Sequence, residues 1–217
     1  MTRVIIPGIQ EEAFPEIKRK IHLVEPFVNW VQIDVTDKTL TANESFSDPL
    51  TFTKIKTRVN LEVHLMTKNA TNKAQDWITA GFKRIISHVE SDNPDQFVKP
   101  ALSKIEGLVK SRVEVGLALD GSSSLELLLP YIDKVDFVLI MMYKAGPSGQ
   151  LFEPSQLEKI RFLHQKYPLL PIEVDGGINH ETIILAEKAG ASRFVATSAI
   201  FKSDDIGQAI KKLQSVN

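Results

Sequence analysis

Eight short apolar runs, rich in β-branched residues, recur along the 217-residue chain. The runs cover residues 4–9, 30–35, 61–66, 84–89, 113–119, 137–142, 172–174 and 193–196. Most gaps between them hold segments with the apolar spacing of an amphipathic helix, at 14–27, 70–80, 154–164, 181–189 and 204–213. Strands that alternate with helices pair in parallel, and their near-continuous hydrophobicity predicts a sheet that is buried on both faces.

Eight strand and helix units in 217 residues predict an α/β fold, a (β/α)8 TIM barrel that occupies residues 1–217 as a single domain. The main alternative is an open, doubly wound sheet. The chain has no Gly-x-Gly-x-x-Gly after its first strand and no Walker-type loop, which are typical of that alternative. The barrel is therefore the favoured architecture.

Composition narrows the function classes. With 26 basic and 27 acidic residues, the formal charge of -1 gives no electrostatic footprint for nucleic acid or an anionic membrane. The chain has no cysteine, so any metal site must use His, carboxylate or amide ligands. The N-terminus lacks a signal-peptide apolar region, and no run approaches the ~20 apolar residues of a membrane span. We expect a cytoplasmic protein that acts on small molecules.

The segment 171–179 combines an apolar strand, one carboxylate and two glycines. Gly176 and Gly177 allow backbone N–H groups to turn toward an anion, and Asn179 can cap the following helix. Asp175 lies directly before the glycines. This pattern predicts a phosphate cradle with an acid at its edge, although an ordinary strand-to-helix turn has the same composition.

Two further segments fit a phosphate site. A glycine-containing loop follows strand six, and small polar residues follow strand eight. A common barrel phosphate site uses the loops after strands seven and eight together with a helix N-terminus. The candidate phosphate ligands are Gly146, Ser148, Gly149, Gly176, Gly177, Thr197 and Ser198.

Polar side chains also collect at the predicted carboxyl ends of the strands, where barrel enzymes carry their catalytic groups. They are Gln32, Asp34, His64, His88, Glu90, Asp120 and Asp175. If Asp34 and Asp175 converge with His64, the cluster suits acid–base chemistry or a divalent cation. His88 has an alternative interpretation as a hydrogen-bonded core residue.

Several ordered motifs resemble those of the ribulose-phosphate 3-epimerase family over nearly the whole chain. Residues 31–37 resemble its His-x-Asp-x-Met-Asp-Gly strand, 64–66 match its His-Leu-Met, and 88–90 match its His-x-Glu. Residues 146–150 with Phe152 and Pro154 resemble its Pro-Gly-Phe-Gly-Gly-Gln loop. Residues 174–179 match its Val-Asp-Gly-Gly-Ile-Asn, and 197–201 resemble its Gly-Ser-Ala-Ile-Phe.

The resemblance implies a barrel of the ribulose-phosphate-binding type and epimerisation of ribulose 5-phosphate to xylulose 5-phosphate through an enediolate. Asp34 and Asp175 would transfer protons on opposite faces of the substrate. A divalent ion, whether zinc, iron, manganese or magnesium, would be held by Asp34, His64, Asp175 and Gln32. The substrate would also contact Gly8, His64 and Met66. We expect a homo-oligomer.

The chain departs from the family pattern within these motifs. The departures are Gly8 for a substrate-contacting Ser, Gln32 for the first metal-binding His, Thr36 for Met, Lys38 for Gly, Lys144 for Asn, Ala145 for Pro, Pro147 for Phe, Ser148 for Gly and Thr197 for Gly. Because an amide oxygen is a poorer zinc ligand than imidazole, Gln32 predicts weaker metal binding or a harder ion. We hypothesise that Lys38 or Lys144 replaces part of the metal's charge; the alternative is that both are solvated.

Three other functions remain open at this point. The chain could be an epimerase for a related ketose phosphate, since such an enzyme of the family that it resembles would use the same residues. A non-catalytic phosphosugar-binding protein would keep the barrel and cradle but lose turnover through Gln32 and Gly8. A lyase or decarboxylase of the same barrel superfamily would carry Asp-x-Lys-x-x-Asp, which is absent because Val35-Thr36-Asp37-Lys38 follows Asp34.

Overall fold

The computed structural model describes residues 3–98, 113–145 and 151–215. Eight parallel strands form a closed barrel in the order β1 to β8, which confirms the predicted architecture. They are β1 Val4–Ile9, β2 Trp30–Thr36, β3 Asn60–Met66, β4 Arg84–His88, β5 Glu114–Leu119, β6 Phe137–Met141, β7 Ile172–Asp175 and β8 Arg193–Ala196. Each predicted strand boundary lies within one residue of the observed one.

Helices cover the outside of the barrel. Those in the described residues are α1 Phe14–Val24, α2 Pro49–Phe52, α3 Ala70–Thr79, α4 Pro94–Phe97, α5 Leu157–Lys166, α6 Thr182–Ala189, α7 Ser198–Phe201 and α8 Ile206–Ser215. The first predicted helix ends at Val24 rather than residue 27, and Pro26 has no N–H to continue its hydrogen-bond ladder. No helix in these ranges is long and apolar enough to cross a membrane.

The connection between β5 and β6 differs from a simple helix. The serines at 122–124 suggest a helix cap, but the chain forms two 3₁₀ segments instead, Leu125–Leu127 and Leu129–Lys134. Pro130 lies near the start of the second segment. A proline there cannot supply the N–H that a continuous α-helix through both segments would need, so the helix is broken.

Two apolar clusters hold the barrel together. The larger one lies between strands and helices and includes Ile33, Leu65 and Trp77. The smaller one consists of Ile86, Ala118, Phe137, Leu139 and Met141. Successive residues of a strand alternate between its two faces, so these clusters occupy the outer and inner faces of the barrel wall.

The inner face also carries buried charges, which the near-continuous hydrophobicity of the strands did not predict. Arg84 Nη1 lies 3.0 Å from Glu62 Oε2, and Glu114 Oε2 accepts from both Arg84 Nε at 3.1 Å and Arg193 Nη2 at 3.0 Å. Glu173 on β7 and Arg193 on β8 are neighbours in the strand register. Glu62 and Glu173 have no solvent exposure, and burial raises the pKa of each carboxyl.

Candidate active site

Three of the predicted polar residues meet at the carboxyl end of the barrel. Asp34 lies beside His64 in the β2–β3 register, and Asp175 ends β7. One ligand atom from each of these three residues lies within 4.8 Å of the other two. Asp34 is only 7% exposed, His64 0% and Asp175 8%. Two carboxylates and an imidazole are thus enclosed at one point of the barrel mouth.

The Gln32 amide connects the two carboxylates. Its Nε2 atom donates to Asp34 Oδ1 and to Asp175 Oδ2, at 2.8 Å in each case. Its Oε1 atom is buried and has no hydrogen-bond partner among the described residues. The NH2 end therefore faces the acids in this structure, whereas the sequence interpretation of Gln32 as a metal ligand requires the oxygen.

Charge in the cluster is balanced by His64. Its Nδ1 atom lies 3.3 Å from Asp34 Oδ1 and 3.7 Å from Asp175 Oδ2. Burial alone would lower the pKa of His64, but attraction to Asp175 and Asp34 outweighs burial and raises it to about 9. Burial raises the pKa of Asp34, and the nearby charge of Asp175 acts in the same direction. The imidazole is therefore cationic at neutral pH, beside a carboxyl group that holds a proton more readily than usual.

His88 packs against His64 and contacts its Nε2 atom. The two rings stack with centroids 4.9 Å apart, and their Nε2 atoms are 2.9 Å apart. His88 Nδ1 lies 3.1 Å from Glu90 Oε2, so Nδ1–H donates to the carboxylate and Nε2 accepts from His64. Burial lowers the pKa of His88, which keeps this imidazole neutral. Burial would raise the pKa of Glu90, but its interactions with His88, Ser123 and the Asp120 backbone together outweigh burial and lower the pKa to about 2.

The predicted phosphate cradle has two glycines with positive φ, at 121° for Gly176 and 63° for Gly177. A Cβ on Gly176 would lie 2.3 Å from the Tyr143 ring, and one on Gly177 would lie 2.4 Å from the Phe152 nitrogen. Asn179 Oδ1 accepts from the backbone nitrogens that open the next helix. Both glycines are thus needed for conformation and for space.

The remaining predicted ligands fall into three groups. Thr197 and Ser198 line a small cavity together with Asp175 and both cradle glycines. Gly8 pairs with Gln32 in the β1–β2 register, and Met66, 2% exposed, lies two residues after His64 on the same strand face. The loop candidates Gly146, Ser148 and Gly149 lie outside the described residues.

The hypothesis that a lysine replaces part of the metal's charge is revised for Lys38. Lys38 Nζ pairs with Glu44, and 62% of the Lys38 side chain is exposed. Glu44 therefore already neutralises this ammonium at the surface, and the positive charge in contact with the Asp34 and Asp175 carboxylates belongs to His64. A role for Lys144 stays a prediction.

Sequence reasoning missed Tyr143, which lines the cavity that contains Asp175. Burial and the charges of Asp175 and Asp34 raise the pKa of its phenol, so the hydroxyl stays protonated. The available signal was an aromatic residue just beyond the strand-six end, where short loops carry ligand contacts in a barrel. The cluster thus combines two acids, one imidazole, one amide and one phenol.

This arrangement suits proton transfer at carbon. Two carboxyl groups that approach a shared point from different strands can act as base and acid, provided that their protonation states differ. The three enclosed ligand atoms also match the oxygen and nitrogen preferences of a divalent cation.

Comparisons with known proteins agree with the fold and the motifs. Residues 4–201 match the model of the ribulose-phosphate 3 epimerase family. A cytoplasmic isoform of ribulose-phosphate 3-epimerase from Oryza sativa subsp. japonica is 31% identical over 217 residues, covering 97% of this chain and 92% of the relative. A ribulose-phosphate 3-epimerase from Synechocystis sp. is 33% identical over 214 residues, covering 95% and 91%.

Solved structures with low sequence identity share the barrel fold. KGPDC from Streptococcus mutans superposes with a TM-score of 0.72 at 13% identity, covering 99% of this chain and 96% of that one. 3-Hexulose-6-phosphate synthase from Salmonella typhimurium gives 0.73 at 13% identity, covering 98% and 97%. The family-model match, the two epimerase relatives and the closed barrel agree, and the chain belongs to the ribulose-phosphate 3-epimerase family.

Proposed function

We propose that the chain interconverts ribulose 5-phosphate and xylulose 5-phosphate with Asp34 and Asp175 as the proton-transfer pair. The observation that carries this proposal is the placement of both carboxylates within 2.8 Å of one nitrogen, Gln32 Nε2. Asp34 comes from β2 and Asp175 from β7, which are separated around the barrel by β1 and β8. The two acids therefore approach a substrate at the barrel mouth from different sides.

In the proposed reaction, one carboxylate takes the proton from C3 of the substrate. The electron pair of the broken C–H bond moves toward the C2 carbonyl, which gives an enediolate. The other aspartic acid then donates its proton to the opposite face of C3, and the carbonyl is restored. The two residues exchange roles in the reverse direction. The raised pKa of Asp34 supports an arrangement in which one acid is protonated while the other is ionised.

The donor set fits a divalent cation. Asp34, His64 and Asp175 would hold it, and Gln32 would join through Oε1 after its amide rotates, because the NH2 end faces the two acids in this structure. When bound, such an ion would supply Lewis-acid stabilisation of the enediolate oxygens. Three oxygen ligands and one nitrogen ligand favour manganese or magnesium over the softer choices, zinc and iron.

The cradle would hold the phosphate of the substrate. Gly176, Gly177, Thr197 and Ser198 line one cavity with Asp175, which supports the placement of the phosphate close to the acids. Gly8 and Met66 are proposed as further substrate contacts, and Gly146, Ser148 and Gly149 remain predicted loop contacts. A cytoplasmic location and homo-oligomeric assembly also stay predictions.

Hydrogen exchange at C3 tests the proposal. The protein is stripped with a chelator and incubated with ribulose 5-phosphate in heavy water, with and without manganese, magnesium, zinc or iron(II). We expect deuterium at C3 together with xylulose 5-phosphate, and the strongest response with manganese or magnesium. Binding of the sugar phosphate without exchange under every ion condition would instead support the non-catalytic binding protein. Exchange with a related ketose phosphate alone would reassign the substrate.

A further inference from the structure

Tyr143 occupies a special position at the barrel mouth. It lies two residues beyond the end of β6 and packs against the inner apolar cluster that contains Phe137 and Met141. Its ring lies against the cradle, because a Cβ on Gly176 would come within 2.3 Å of Tyr143 Cε1 and 2.5 Å of Cδ1. The absence of a side chain at residue 176 therefore makes the space in which this ring lies.

The phenol shares a cavity with the reacting groups. Tyr143 and Asp175 line the same small space, together with Thr197. The charges of Asp175 and Asp34 both act on the phenol, and among the described residues they do so without a hydrogen bond. A protonated hydroxyl that lines the same cavity as Asp175, and donates to neither acid, remains available to a ligand at the barrel mouth.

We propose that the Tyr143 hydroxyl is a catalytic hydrogen-bond donor to an enediolate oxygen of the substrate. This inference rests on the proposed epimerase function and adds a residue to it. The phenol keeps its proton throughout, so no further group is needed to balance the reaction. As negative charge moves from C3 to the carbonyl oxygen, the hydrogen bond becomes stronger, and the donor stabilises the transition state more than the ground state.

The position of the ring favours the enediolate over the phosphate as its partner. The Tyr143 ring lies against Gly176 and the inner cluster, and the charges of both acids act on its phenol. An acceptor that gains charge between the acids lies closer to this field than a phosphate in the backbone cradle does. The phenol is also a neutral donor, and a neutral donor is compatible with two neighbouring carboxylates, whereas an ionised side chain at its position would be repelled.

The variant Tyr143→Phe tests this assignment because it removes only the hydroxyl and keeps the ring against Gly176. We expect kcat for epimerisation to fall by about 10- to 100-fold with KM changed less than about twofold, since the loss of one oxyanion donor acts on the transition state. The affinity for a phosphorylated hydroxamate that mimics the enediolate should fall by about tenfold, while inorganic phosphate binds as in the wild type. Tyr131→Phe is the matched control, because Tyr131 lies in the 3₁₀ segment Leu129–Lys134 and its hydroxyl contacts Asp95.

The outcomes test the role of Tyr143 and the epimerase function separately. Wild-type kcat and hydroxamate affinity in Tyr143→Phe would overturn the role of Tyr143 and leave the epimerase function standing. An equal loss of affinity for inorganic phosphate and the hydroxamate would also overturn it, since the hydroxyl would then serve the phosphate. A wild-type protein that neither exchanges C3 hydrogen nor binds the hydroxamate would refute the epimerase proposal itself, and the Tyr143 assignment with it.

Discussion

The Thr197 hydroxyl occupies the space that a side chain on Gly8 would need. A Cβ built on Gly8 would lie 2.8 Å from Thr197 Oγ1, 2.8 Å from Val195 Cγ1 and 3.6 Å from Asp34 Oδ2. Strands β1 and β8 therefore compete for one position beside a proposed catalytic acid. In this chain the position is filled from the β8 side.

This competition predicts strong coupling between the two residues. Gly8→Ser should lower kcat/KM by more than about tenfold because its Cβ overlaps Thr197, and Thr197→Gly should lower it because the hydroxyl is lost. The double variant removes the Thr197 overlap and keeps only the Val195 contact, so its kcat/KM should exceed the product of the two single effects by at least about tenfold, which corresponds to a coupling energy of about 1.4 kcal/mol. Additive losses in a double-mutant cycle would contradict a shared position.

Gln32 is predicted to stabilise the acid pair when no ion is bound. Gln32→Glu replaces the bridging NH2 by an acceptor of the same shape, which leaves buried carboxylates facing one another. In chelator-treated protein we expect a loss of about 2 kcal/mol in the free energy of unfolding. Added manganese should reverse the loss and bind more tightly than to wild type, because the site gains a carboxylate ligand.

Calorimetric titration with manganese and urea unfolding of stripped protein measure the two effects. Gln208→Glu, at an exposed position of α8, is the control for an added negative charge. If stripped Gln32→Glu were as stable as stripped wild type, the bridge would have no stabilising role.

Glu90 is predicted to act on metal affinity without touching the ion. It accepts from His88, and His88 in turn accepts from His64, so Glu90 fixes the orientation in which His64 presents Nδ1 to the acids. Glu90→Gln should weaken manganese binding by about tenfold. Glu44→Gln, whose glutamate pairs with Lys38 at the surface, should leave the affinity unchanged. Equal affinities in the two variants would exclude the relay.

More of the fold than of the site could be predicted from the sequence. Strand positions follow from buried apolar runs, and strand order in a barrel follows chain order, so Asp34, His64 and Asp175 could be assigned to one end beforehand. The direction of the Gln32 amide could not, because oxygen and nitrogen ends differ only by a rotation that the surroundings determine.

The buried charges on the inner face of the barrel were also missed in the sequence, for a different reason. Glu62, Arg84, Glu173 and Arg193 stand within the apolar runs, and each lies at an inward position of its strand. Their matched positions in neighbouring strands were visible in the sequence. Interpreting each run by its average hydrophobicity concealed them, since a few paired charges hardly change that average.

The two buried glutamates are predicted to respond differently to neutralisation. Arg84 and Arg193 are balanced by Glu62 and Glu114 through the observed ion pairs, so the inner layer is neutral when Glu173 carries a proton. Burial, which raises the pKa of Glu173, agrees with this state. Glu173→Gln should therefore change the free energy of unfolding by less than about 1 kcal/mol. Glu62→Gln should cost about 3 kcal/mol because Arg84 loses its buried partner.

Urea unfolding of both variants gives the comparison. Equal destabilisation by the two substitutions would show that the charges are not distributed between Glu62 and Glu173 in this way.

Heavy-water exchange in their Asn variants decides whether Asp34 and Asp175 act on opposite faces of C3. Asp34→Asn and Asp175→Asn are each incubated with manganese and either ribulose 5-phosphate or xylulose 5-phosphate, and C3 is followed by NMR, with the exposed Asp133→Asn as control. We predict that both variants lose epimerisation by more than about 10³-fold. Any remaining C3 exchange should be confined to one epimer in Asp34→Asn and to the other epimer in Asp175→Asn. Epimerisation near the wild-type rate in either variant, or residual exchange in the same epimer for both, would show that the two residues do not act on opposite faces of C3.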